Sequence, residues 1–158
     1  MIENPKARIG MIAQKRAEIH FMSQGYSVCW PAVDNGFDLL IHKSAGEGFL
    51  PIRVQVKSLT PSGSVILFGA GTNPHSKGAA ERSIKARHLA KMLPRHYDLL
   101  VVVCDEYVWV IPEANTRGIT GLKVKNQDTG GWLKKSKWDQ FREERLDGRR
   151  PQTQTSTD

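Results

Sequence analysis

Gly36-Phe37-Asp38-Leu39-Leu40-Ile41, followed after a short spacer by Ile52-Arg53-Val54-Gln55-Val56-Lys57, is the stretch whose reading decides the fold. Each half reads as a short strand. The first carries a carboxylate near its start. The second alternates, so Arg53, Gln55 and Lys57 share one face and Ile52, Val54 and Val56 share the other. An acid on one strand and a Gln-x-Lys on the next can meet at one point. Asp38 offers a carboxylate, Gln55 an amide oxygen and Val56 a backbone carbonyl, which together suit a hard divalent cation such as magnesium. Lys57, on the Gln55 face, can orient a water or balance charge on a phosphate. The same alternation is expected of any half-exposed antiparallel strand, so spacing alone leaves both readings open.

Working outward, Asn4-Pro5 is an N-cap with proline at the first helical position, and the helix runs to Gln24, where Gly25 stops it. Ile9, Gly10, Ala13, Ala17, His20 and Phe21 gather on one face, with Gln14 at its margin and Glu18 further toward the polar side. Strands follow at 26–30 (ended by Pro31), 37–42, 50–58 and 64–68, with Asp34-Asn35-Gly36 as a turn. Residues 69–78 form a long irregular loop without P-loop spacing. Residues 79–93 read as a basic helix closed by Pro94. A dense apolar strand at 97–104 is the candidate for the centre of the sheet. Further strands are expected at 107–111 and, at an edge, 119–124. An amphipathic helix is expected at 137–146, docked by Trp138, Phe141 and Leu146. This order describes an α/β domain with a mixed sheet flanked by helices. One domain over 1–146 and a polar, disordered tail over 147–158 complete the expectation.

The formal net charge of +7 points to a polyanionic partner. No window approaches the apolar length of a membrane span, and the N-terminus lacks a signal segment, so a cytoplasmic protein with no membrane partner is expected. Cys29 and Cys104 read as buried thiols, since no CxxC spacing or histidine cluster accompanies them. His20, His42, His75, His88 and His96 lack ligand spacing, and no serine sits in a Gly-x-Ser-x-Gly context.

Several blocks together resemble the PD-(D/E)XK nuclease superfamily. They are Ile9-Gly10 with Ala13-Gln14, Gly25-Tyr26-Ser27-Val28, Trp30-Pro31, Asp34-Asn35-Gly36-Phe37-Asp38-Leu39 and Arg53-Val54-Gln55-Val56-Lys57-Ser58. Weaker matches are Asp98, Trp109-Val110-Ile111-Pro112 and Trp138. The chain is most similar to the homing-type endonucleases of group I introns, and it also resembles archaeal Holliday-junction resolvases. The resemblance implies a restriction-endonuclease-like αβββαβ core and a metal-dependent DNA endonuclease using Mg2+, with Mn2+ able to substitute. It implies a metal aspartate at Asp38, Gln55 in place of the usual acid, Val56 contributing its carbonyl and Lys57 as the catalytic lysine. The first-helix acid of the resolvase-like relatives falls on Gln14, eleven residues before Gly25, with Glu18 one turn later as the alternative. DNA contacts are expected from Arg53, Lys77, Arg82, Lys85, Lys134 and Lys135. A homodimer or higher oligomer fits the cutting of both strands. Because Gln14 and Gln55 stand where relatives carry acids, two rivals remain: a catalytically inactive DNA-binding module on the same fold, and an accessory protein-interaction subunit of a mobile element.

Overall fold

The computed structural model describes residues 4–33, 35–43, 50–59, 63–66, 95–104, 107–119, 121–124 and 137–144. Helix α1 spans Pro5–Ser23. The Asn4 side chain caps it by accepting the Lys6 N–H at 3.1 Å, and proline at the first position has no N–H to leave unsatisfied. Gly25, at φ +83°, ends it.

Eight strands follow in chain order: β1 (Ser27–Cys29), β2 (Leu39–His42), β3 (Ile52–Ser58), β4 (Ser64–Ile66), β5 (Leu99–Val103), β6 (Tyr107–Pro112), β7 (Gly121–Lys123) and β8 (Arg142–Glu144). Six form a mixed sheet in the order β1-β2-β3-β5-β6-β8. Within it β3 and β5 run parallel and the other neighbours antiparallel. The expected α/β architecture with a mixed sheet is therefore present.

Both faces of the sheet are covered. Ala13, Ala17 and Phe21 of α1 pack on Leu39, Ile41, Val54, Val56, Val101, Val103 and Val108. The opposite face buries Leu100, Val102, Trp109 and Ile111 against Val65, Leu122 and Trp138. This is why β5 reads Leu-Leu-Val-Val-Val without alternation: each of its two faces meets a core.

Four expectations need correction. The helix expected at 137–146 is instead a 3₁₀ turn at Asp139–Phe141 followed by β8. Trp138 and Phe141 are the apolar pair of this run, and one tight turn places their rings 6.5 Å apart. The next three residues satisfy the open edge of β6, pairing Tyr107 with Glu144 and Trp109 with Arg142. Residues 64–66 and 121–123 do not extend the main sheet. They pair with each other as a separate ribbon, with Val65 opposite Leu122. Ile9 is 53% exposed rather than packed, because the buried face of α1 is centred on Ala13, Ala17, His20 and Phe21. Cys29 is exposed and Cys104 half-buried, since Cys29 lies on an edge strand and Cys104 at a strand end. The basic helix at 79–93, the 69–78 loop, Leu146 and the tail at 147–158 lie outside the described residues.

The start of the parallel pair is clamped by Arg53 and Asp98. The Arg53 guanidinium donates to both Asp98 carboxylate oxygens at 2.8 and 3.1 Å. The Arg53 N–H also reaches Asp98 Oδ2 at 2.8 Å, and Asp98 N–H returns to Arg53 C=O at 2.8 Å. Hydrogen bonding from the Arg53 side chain holds the Asp98 carboxyl below its ordinary value of 3.8. A depressed folded-state pKa stabilises above the unfolded value, and that contribution is lost as pH falls through the folded one. Asp98→Ala should therefore cost about 1 kcal/mol at pH 7, a modest figure because both side chains are partly exposed. The difference from wild type should shrink steadily below about pH 4. Urea titrations at several pH values check this, and a difference that stays constant down to pH 2 would contradict it.

Candidate active site

The β2–β3 register sets the site. Leu39 lies opposite Val54, so Asp38 and Gln55 are the next facing pair. Asp38 N–H donates to Val54 C=O at 2.8 Å, and there the ladder ends. Two residues along β3, the Val56 N–H points to the same side. The Asp38 carboxylate takes it up instead of a strand partner, with Oδ2 at 2.7 Å. The Gln55 amide nitrogen donates to the same oxygen and lies 3.5 Å from Val56 C=O.

The third approach comes from α1. β1 ends at Cys29 opposite Leu40, and Pro31 cannot continue the ladder. Beside Asp38 the sheet is therefore open, and Gln14 reaches across to donate from Nε2 to Asp38 Oδ1 at 2.7 Å. Behind Asp38, Gly36 has φ +79°, and a Cβ there would come within 3.0 Å of His96 Cβ. The turn that presents Asp38 thus demands glycine for both conformation and space.

Of the two first-helix candidates, Gln14 is the one at Asp38. Glu18 is paired with Lys15 at 2.8 Å, within its own helix. Lys57 is half-buried and makes no hydrogen bond or ion pair among the described residues. Arg53, expected at DNA, is paired with Asp98 and remains 44% exposed. Arg53 and Asp98 were both singled out from the sequence but not as a pair; opposite charges at the starts of two central strands were the available signal. Lys77, Arg82, Lys85, Lys134 and Lys135 lie outside the described residues.

Among the described residues no three His, Cys, Asp or Glu side chains come together. Any cation here would be held mainly by neutral oxygens. The donor set fits one. The Gln55 nitrogen sits between two oxygens, Asp38 Oδ2 and Val56 O, as a positive group would. A half-turn of either glutamine amide exchanges its NH2 for a carbonyl oxygen. With its oxygen turned inward, Gln55 would join the Asp38 carboxylate and the Val56 carbonyl as three oxygen donors around one point, a number compatible with a magnesium ion that keeps several waters. An open cleft of ≈240 Å³ leads to this point, bounded by Gln14, Trp30, Phe37 and Asp38 among others.

Among the described residues the fold is a six-stranded mixed sheet carrying α1 across one face, with one carboxylate, Asp38, where the meander opens. It is similar to the solved structure of a bacterial homing endonuclease, I-Ssp6803I. The TM-score is 0.62 at 20% sequence identity, covering 88% of this chain and 89% of that one. That likeness establishes a homing-endonuclease-like fold. No protein-family profile matches the sequence, and no curated protein matches it.

Because Gln55 and Val56 share one carboxylate oxygen, a second carboxylate at position 55 would face Asp38 directly. In chelator at pH 7, Gln55→Glu should lose roughly 1–3 kcal/mol of stability through like-charge repulsion. The nearly isosteric Gln55→Met, which only removes a donor, should lose less, about 1 kcal/mol. Chemical denaturation of the two variants decides this, and equal losses would mean that position 55 does not face the carboxylate.

Proposed function

We propose that this chain is a metal-dependent DNA endonuclease of the PD-(D/E)XK type, hydrolysing phosphodiester bonds. The observation that carries the reading is the convergence of Gln14, Gln55 and the Val56 backbone on Asp38, with Lys57, two residues beyond Gln55 on the same strand, making no ion pair among the described residues. Asp38, Gln55 and the Val56 carbonyl would hold Mg2+ or Mn2+, with Gln14 supporting Asp38. A bound divalent cation would neutralise the phosphodiester and lower the pKa of a coordinated water.

The chain's own residues supply the rest. Asp38 is fixed by three donors, so its carboxylate is oriented before any ligand arrives. Lys57 has no counter-ion among the described residues, so its ammonium would be available to an attacking water or to the scissile phosphate. The excess of 23 Lys and Arg over 16 Asp and Glu favours a polyanion, and phosphate contacts of that kind give steeply salt-dependent binding. Cutting both strands of a duplex would call for two such sites, hence a homodimer or higher oligomer. Among the described residues no helix is long and apolar enough to cross a membrane.

A second reading has its own observation. The two glutamines satisfy Asp38 with neutral donors, an arrangement that needs no metal and suits a DNA-binding module that does not cut.

Incubation with supercoiled plasmid and Mg2+ or Mn2+ separates the two. Wild type should nick, and Asp38→Ala and Lys57→Ala should each lose at least roughly 100-fold in rate while retaining DNA binding at low salt. A wild type that binds without nicking in either metal supports the non-catalytic module. A Lys57→Ala variant that cuts like wild type removes Lys57 from the site.

A further inference from the structure

Trp30 is 42% exposed at the mouth of the site. It walls two clefts at once. One is the opening that contains Asp38. The other, of ≈550 Å³, is lined by Ala7, Gly10, Met11, Gln14, Lys15 and Trp30. Gln14 also borders both, and its amide is bonded to Asp38. The larger cleft therefore adjoins the candidate active site, with Gln14 and Trp30 in the walls of both.

Three features of this cleft bear on what could occupy it. Gly10 sits inside α1, where glycine weakens a helix, yet nothing lies within 4 Å of where its Cβ would be. No neighbour among the described residues requires the glycine, and its lack of a side chain leaves the cleft floor open. Trp30 is a large aromatic, partly exposed, with the Lys15 ammonium 4.4 Å from its ring centroid; that ammonium also pairs with Glu18 at 2.8 Å. No acid lies in the first turn of α1, whose N-terminal N–H groups carry a partial positive charge. An indole face, a cation beside it and a bare backbone surface are together what an unstacked nucleotide needs: a platform for the base, a counter-charge for the phosphate and room for the sugar.

We propose that the cleft between Gly10 and Trp30 receives one nucleotide of the bound DNA strand, turned out of the base stack, with its base on Trp30 and its phosphate toward Lys15. The inference rests on the endonuclease reading and adds a substrate class to it. The preferred DNA has a single-stranded, mismatched or easily unstacked nucleotide beside the phosphate at Asp38, because extruding such a base costs least. Stacking on an aromatic tolerates any base, so the cleft selects DNA structure rather than sequence.

The test uses the full chain in chelator at low salt, with fluorescein-labelled oligo-deoxythymidine as the unstacked probe and a mixed-sequence duplex of equal length for comparison. Trp30→Ala should weaken oligo-deoxythymidine binding by roughly 5- to 100-fold, and duplex binding by less. Gly10→Leu, which fills the cleft and favours the helix, should weaken the same probe without touching Trp30. Trp30→Phe should stay within about threefold of wild type yet abolish the quenching of intrinsic tryptophan fluorescence on binding. Unchanged oligo-deoxythymidine affinity in Trp30→Ala, or a quench that survives Trp30→Phe, overturns the nucleotide cleft. If that happens while wild type binds DNA and nicks in an Asp38-dependent way, the endonuclease reading stands alone. A wild type that binds neither probe at low salt overturns both.

Discussion

The parallel pairing of β3 with β5 is the constraint on which the rest of the molecule depends. It places β3 in the interior of the sheet, so Val54 and Val56 are buried under α1. Their neighbours Arg53, Gln55 and Lys57 must then project from the other face of the strand. The Arg53–Asp98 clamp holds the first residues of the two strands together. On its other side β3 meets β2 only as far as Asp38. From there the backbone groups of Val56 face an opening, and one carboxylate takes the place of a missing strand. Candidate site and sheet are thus two consequences of the same termination: Asp38 ends the ladder, and its carboxylate takes up the Val56 N–H left open there.

That arrangement changes the meaning of the two glutamines. In a site with several acids, the carboxylates repel one another and need a cation to come together. Here a single carboxylate is surrounded by amides and a backbone N–H, and the cluster is satisfied as it stands. A metal would have to displace the Gln55 nitrogen from between Asp38 Oδ2 and Val56 O. Less protein charge opposes the cation, so phosphate oxygens would complete the neutralisation, and metal binding would be coupled to DNA binding. Gln14 ties this centre to α1.

Much of this was legible in the chain. Asn4-Pro5 and Gly25 bound α1 because caps are local chemistry. Asp38, Gln55, Val56 and Lys57 were singled out because strand alternation fixes which side chains share a face. Pairings between distant segments leave no such local mark. Nothing near residues 64–66 announces 121–123 as their partner, and the Trp138 and Phe141 spacing serves one 3₁₀ turn as well as an amphipathic helix. Helical angles put Gln14 at the margin of the buried face and Glu18 further round, and the opening left where β1 stops at Cys29 lets Gln14 reach Asp38. The Arg53–Asp98 pair left no local mark because its members lie 45 residues apart.

The central claim is that Asp38, Gln55 and the Val56 carbonyl form one cation site. A crystal soaked in Mn2+ and measured for anomalous scattering tests it most directly. The account predicts a peak at about 2.0–2.3 Å from Asp38 Oδ2, Val56 O and a flipped Gln55 Oε1. A crystal that shows no peak there, at a Mn2+ concentration that supports DNA cleavage in solution, would contradict it.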